Sequence, residues 1–157
     1  MLRALAILLA ISLAPLPALA GANEDAFLAK LVGKWSGKGT LTGGETGEID
    51  CTSTIRNISA GIRFSVKCDV PEFGAQNFSG TVSYNDAEGR YEAKSPSGEV
   101  TIGTKSGNAV IFNAKMKGIA VGTSVMKLTT SRITVDTNVK RPGSPDNIKS
   151  HLELTKS

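Results

Sequence analysis

The sequence is poor in the side chains that catalytic and metal sites are built from. Its 157 residues include one histidine, two cysteines and one tryptophan, and aromatic residues make up 5% of the chain. Two thiols and one imidazole fall short of the roughly four ligands of a structural zinc site, and neither thiol has an identifiable activating partner. There is no Gly-rich phosphate loop carrying Lys and Ser or Thr, no Ser-His-Asp set with its supporting motifs, and no carboxylate pair in a suggestive context. The sequence therefore points away from an enzyme and offers no metal site. Charge of one sign is lacking too: 18 Lys and Arg stand against 14 Asp and Glu, scattered between polar residues, for a net charge of +4. A nucleic-acid surface needs cations gathered on one face with aromatics for stacking, so this balance reads as a solvated, mildly basic surface with no nucleic-acid partner.

Long hydrophobic runs are confined to the first residues. Arg3 precedes an apolar stretch from Ala4 to Ile11, Pro15 and Pro17 break its continuation, and Ala18-Leu19-Ala20 closes it with a small-x-small pattern. The run falls short of the ~20 apolar residues that span a bilayer, and it has the charged start and small-residue end of a secretory signal peptide. Residues 1–20 are therefore expected to be removed on export. The remainder is a single domain over 21–157, periplasmic or secreted, with no membrane contact after cleavage. No linker or internal repeat divides it.

Both cysteines lie in that domain, and an even pair in an oxidising compartment favours a disulfide. Alternation gives a sharper test. Ile49, Cys51, Ser53 and Ile55 share one face of an extended strand, and Ile62, Phe64, Val66, Cys68 and Val70 share one face of the next. A turn centred on Ser59-Ala60 would oppose Ile55 to Phe64, Ser53 to Val66, Cys51 to Cys68 and Ile49 to Val70. One register thus gathers the apolar set on one face and brings the sulfurs together, at the hairpin Cα spacing of about 4.5–5.5 Å. It also opposes Arg56 to Arg63 and Asp50 to Asp69 on the outer face, which is unfavourable and leaves room for a slightly different turn.

The same alternation recurs downstream. Phe78, Gly80, Val82 and Tyr84 lead into a turn at Asn85 to Gly89, and Tyr91 and Ala93 return from it. After the break at Ser95-Pro96-Ser97-Gly98, Val100 and Ile102 mark a short strand. Val110, Phe112, Ala114 and Met116 share a face, as do Ile119, Val121, Thr123 and Val125, and later Ile133 with Val135. The loop Arg141 to Asp146 holds two prolines, which cannot donate to a ladder, and a last strand runs from Ile148 to Leu154. About eight to ten short strands between turn signals predict an all-β fold, an antiparallel up-and-down barrel. One short helix precedes them, with Asn23 as its cap, Glu24 and Asp25 in its first turn, an apolar stripe of Phe27, Leu28 and Leu31, and Gly33 at its end.

The helix leading into Gly33-Lys34-Trp35 resembles the Gly-x-Trp opening of the calycin-type barrels, which include the lipocalins, the fatty-acid-binding proteins and lipocalin-like bacterial domains. The resemblance implies that Trp35 packs at the closed end of a barrel. Gly37 and Gly39 would share its face and leave space beside it. A narrower resemblance is to the nitrobindin-type haem barrels, carried by Leu31, Gly33, Trp35, Gly37 and Gly39 at one end and by the pair His151-Leu152 at the other. It implies haem as cofactor with His151 as the iron ligand. Periodicity opposes that assignment, because Ile148, Leu152 and Leu154 claim the apolar face and send His151 outward with Lys149 and Glu153.

The expected function is binding of a small apolar ligand inside the barrel, with no cofactor. Candidate ligand contacts are Trp35, Phe64, Phe78, Val82, Phe112 and Met116, although Trp35 reads first as core. Small inward residues, Gly37, Gly39, Ser53 and Gly80, favour a cavity, while glycine also relieves crowding where barrel strands bend. The alternatives are a haem-binding barrel and a structural or interaction protein whose barrel is filled by its own side chains.

Overall fold

The computed structural model describes residues 20–43, 46–71, 73–116, 121–140, 143 and 147–157. The expected signal peptide lies outside the described residues except for Ala20, which opens a helix, α1 (Ala20–Leu31). Ten strands come after it: β1 (Gly33–Thr42), β2 (Gly47–Ile58), β3 (Gly61–Val70), β4 (Gly74–Asn85), β5 (Arg90–Lys94), β6 (Val100–Ser106), β7 (Ala109–Met116), β8 (Val121–Leu128), β9 (Arg132–Lys140) and β10 (Asn147–Lys156). Each pairs antiparallel with the next, and β10 pairs with β1, which closes an up-and-down barrel. Closure gives every strand a neighbour on both sides, so none is an edge strand.

Alternation decides which face turns inward. In β2, Ile49, Cys51, Ser53 and Ile55 are buried while Glu48, Asp50 and Thr52 are exposed. The charges outside form ladders, with Lys38 Nζ 3.3 Å from Glu48 and 3.8 Å from Asp50. Apolar residues inside and charges outside is the reverse of the pattern of a membrane-spanning barrel. Among the described residues, no helix is long and apolar enough to cross a membrane.

The β2–β3 hairpin turns at Ser59-Ala60 and pairs Cys51 with Cys68, Ser53 with Val66 and Ile55 with Phe64. The opposed like charges, Arg56 with Arg63 and Asp50 with Asp69, are kept rather than avoided. A slip of one residue would turn the whole apolar set outward, whereas exposed like charges cost less than about 1 kcal/mol. The register that buries the core therefore wins.

Three expectations need correction. Asn23 lies inside α1 and does not cap it, and Glu24 and Asp25 fall beyond its first turn, because the helix already includes Ala20. On β8 the set Val121, Thr123 and Val125 faces out, with Val121 59% exposed, and the inner face is Gly122, Ser124, Met126 and Leu128. Pairing of Met126 with Val135 and Leu128 with Ile133 fixes that choice, and Ile119 lies outside the described residues. Finally, Gly37 and Gly39 leave no space: a Cβ would lie 1.9 Å from the Glu153 carbonyl oxygen of β10 at the first and 2.3 Å from the His151 carbonyl oxygen at the second. Both permit close strand approach in a tightly coiled wall, the second role weighed for glycine.

α1 closes one end of the barrel. Leu28 and Leu31 are buried, each contributing roughly 1.5–3 kcal/mol by leaving water. The carbonyl groups at the helix end find donors in the barrel wall: Trp35 Nε1 donates to Leu31 O at 2.8 Å, and Lys156 Nζ donates to Lys30 O at 2.7 Å. Lys156 also lies 5.6 Å from the Trp35 ring centre, within cation–π range. At the other end of α1, the buried Glu24 accepts hydrogen bonds from the Tyr91 hydroxyl and, at 2.6 Å, from Lys105 Nζ. Tyr91 is itself packed edge-on against Phe27 and Tyr84, with ring centres 6.0 and 5.1 Å away. Burial, then the bond to Glu24, pushes the Tyr91 hydroxyl well above its ordinary value, so it remains a donor.

Burial raises the Glu24 pKa, but the bonds from Lys105 and Tyr91 and the Lys105 charge outweigh it and hold the carboxyl below its ordinary value of 4.5. A depressed carboxyl stabilises the fold above that ordinary value, and the contribution is lost as pH falls through the depressed one. Glu24→Ala should therefore destabilise the protein by about 1–3 kcal/mol at neutral pH, leaving a buried phenol unpaired. In urea unfolding the gap between wild type and variant should narrow as pH falls below the ordinary value of 4.5 and through the depressed one. A gap independent of pH would contradict the ionised state assigned to Glu24.

Candidate functional site

The barrel interior beyond α1 is a cavity of about 490 Å³, within the size range of small-molecule sites. Its floor is Leu31 of α1 with Ile55, Ile62, Leu128, Ile133 and Leu154. Its walls are the inner faces of β2, β3, β8, β9 and β10, including Ile49, Val66, Met126, Val135 and Leu152. The far end is rimmed by Val70, Phe78 and Met116. The described lining residues carry no ionisable side chain, and their polar groups are four hydroxyls: Ser53, Ser124, Thr137 and Ser150.

Strand length explains where the wall is low. β1 to β4 have 10 to 12 residues, whereas β5 has five and β6 seven. β4 pairs with β5 only from Thr81 to Asn85, so its first half runs on past the end of its neighbour. Phe78 lies on that unsupported half, 55% exposed and still lining the cavity. An exposed aromatic beside an apolar opening has an unfavourable contact with water that an entering apolar molecule would relieve.

The hydroxyls fall into two groups. Ser124, Thr137 and Ser150 stand opposite one another across β8, β9 and β10, with Ser124 Oγ 3.3 Å from Thr137 Oγ1. Ser53 stands apart, one alternation from the disulfide and opposite Val66. It is only 5% exposed, and its hydroxyl has no hydrogen-bond partner among the described residues.

Of the sequence candidates, Phe64, Phe78, Val82 and Met116 line this cavity, and Trp35 and Phe112 do not. Trp35 is 1% exposed and engaged with the end of α1. The Phe112 ring lies over Gly103 on the adjacent strand, where a Cβ would come within 2.5 Å of it. Phe64 treats Gly80 in the same way, so part of the space that inward glycines offer is taken by aromatic rings. Cys51 and Cys68 form a disulfide with Cα atoms 4.1 Å apart, and both residues line the cavity. The hydroxyl row was not among the candidates. Serine and threonine at inward positions look like outer-face residues when a strand is read alone.

His151 is on the outer face, its side chain 54% exposed and its Nδ1 2.6 Å from Asp136 Oδ1. A proximal haem ligand needs an enclosing apolar pocket, and His151 has none. The residues present do not fit haem ligated by His151.

No protein-family model and no curated protein matches the chain. Solved structures do. The S-type phycobiliprotein lyase CPES from Guillardia theta superposes with a TM-score of 0.61 at 14% identity, over 83% of this chain and 90% of that one. Rv2717c from M. tuberculosis superposes with a TM-score of 0.56 at 14% identity, over 89% of this chain and 98% of that one. The fold is a lipocalin-like calycin barrel. Identity this low establishes architecture alone, and function has to be argued from the site.

His151→Ala should change stability by no more than about 0.5 kcal/mol, as expected for an exposed pair. Adding haem to wild type and variant should give no difference in the Soret region. A stoichiometric Soret band lost in the variant would overturn the outward placement of His151.

Proposed function

We propose that this protein is an exported binding module that holds a small apolar ligand inside its barrel. The observation that carries the reading is the cavity itself: about 490 Å³ of apolar space, open at the end opposite α1. Eight strands leave an interior that side chains can fill or that holds one small ligand, and ten strands give a wider one. The aromatic rings over Gly80 and Gly103 fill the β4–β7 side, and the β2–β3 and β8–β10 sides keep the space. Favourable entry follows from burial of apolar ligand surface, at roughly 25 cal/mol per Å² before the cost of immobilising it. Export is supported by the N-terminal pattern of residues 1–20 and by the Cys51–Cys68 disulfide, which persists in oxidising compartments.

Diphenylhexatriene, a neutral hydrocarbon that fluoresces when it leaves water, tests the reading. Wild type should bind it at one site. Val135→Trp adds a bulky ring to the cavity wall and should weaken binding by at least about tenfold while circular dichroism still reports a β-barrel. A wild-type protein that binds no probe, or a folded Val135→Trp variant that binds as wild type does, would contradict the proposal.

A further inference from the structure

We propose that the cavity selects a neutral ligand whose buried end carries a hydrogen-bonding oxygen, an alcohol, ketone or ester in place of a carboxylate, and that Ser53 recognises that oxygen. The inference rests on the ligand-binding reading above and specifies its chemistry. Ser53 is only 5% exposed, yet it lines the cavity. No described residue accepts from or donates to its hydroxyl. Among the described residues no side-chain polar atom is both fully buried and unpaired, so the Ser53 hydroxyl is open to the cavity and its partner comes from whatever fills that space. Its cross-strand neighbours are Val66 on β3 and Trp35 on β1, and the Trp35 Nε1–H is already given to Leu31 O, so neither supplies a partner.

The surroundings also set the charge of the ligand. Burying a carboxylate requires a cation or several donors to replace its water, and the described lining residues include no Lys, Arg or His. One neutral hydroxyl cannot offset that loss. A ligand hydroxyl or carbonyl gives up far less hydration and regains a bond from Ser53. The hydroxyls nearer the mouth are placed differently: Ser124 and Thr137 face each other at 3.3 Å, and Ser150 is half-buried where Ser53 is buried, so it keeps access to water.

The test is competition against diphenylhexatriene on lipid-stripped protein at pH 8, where dodecanoate is ionised and 1-dodecanol is not. On wild type, dodecanol should displace the probe at a concentration at least about tenfold lower than dodecanoate. Ser53→Ala should weaken dodecanol by about fivefold, the worth of one hydrogen bond, while probe affinity stays within about twofold. Ser53→Thr, which keeps the hydroxyl, should retain the preference for the alcohol. Dodecanoate binding as well as or better than dodecanol would overturn the inference and leave the ligand-binding reading standing. Unchanged dodecanol affinity in a folded Ser53→Ala variant would overturn it in the same way. Should the probe fail to bind wild type, the ligand-binding reading falls and this inference with it.

Discussion

Closure of the ring by the β1–β10 ladder is the constraint on which the rest depends. Trp35 to Thr42 pair with Lys149 to Lys156, so the first and last strands of the domain hold each other. Without that seam both would be edges, exposing rows of unpaired N–H and C=O groups. With it, every inner face is committed to one shared interior, and the number of strands fixes how wide that interior is. Gly37 belongs to this seam. Any larger residue would push β10 away at the point where the ring closes.

A ring of this size has two open ends and a wide middle, and the chain treats them differently. One end is plugged by α1, whose attachment mixes apolar burial with polar anchors: Leu28 and Leu31 below, Trp35 and Lys156 on the terminal carbonyls, and Glu24 on Tyr91 and Lys105. The middle is filled unevenly. Aromatic rings over glycines occupy one side, and aliphatic side chains with a few hydroxyls line the other without meeting across it. The disulfide spans neighbouring strands in that open wall. By the chain-entropy model it contributes about 3 kcal/mol, useful where cross-barrel packing is thin.

Sequence made some of this legible and hid the rest for physical reasons. The β2–β3 register could be read because both strands alternate strongly and share a pair of cysteines, so one turn position satisfied every constraint together. The outward turn of His151 followed from Ile148, Leu152 and Leu154 in the same way. β8 was harder, since its β-branched residues face outward and its inner face holds Gly122, Ser124 and Met126, with no periodic contrast to read. Glu24 looked like a first-turn acid, and only the fold brings Tyr91 and Lys105 to it across 67 and 81 residues of chain. Phe112 and Trp35 read as cavity-lining because alternation reports which face is inward and says nothing of height along the barrel. The hydroxyl row could not be read at all, because an inward serine is recognised only once its neighbours across the sheet are known.

The central claim is that the interior is a site for a small neutral molecule rather than unused space. Native mass spectrometry of the protein purified from its own host measures this most directly, because it weighs whatever the barrel retains. The account predicts a population heavier than the bare chain by one small molecule, which is released on denaturation and extracts as an uncharged compound. Protein that emerges bare, and stays bare after incubation with a lipid extract of the same host, would contradict it.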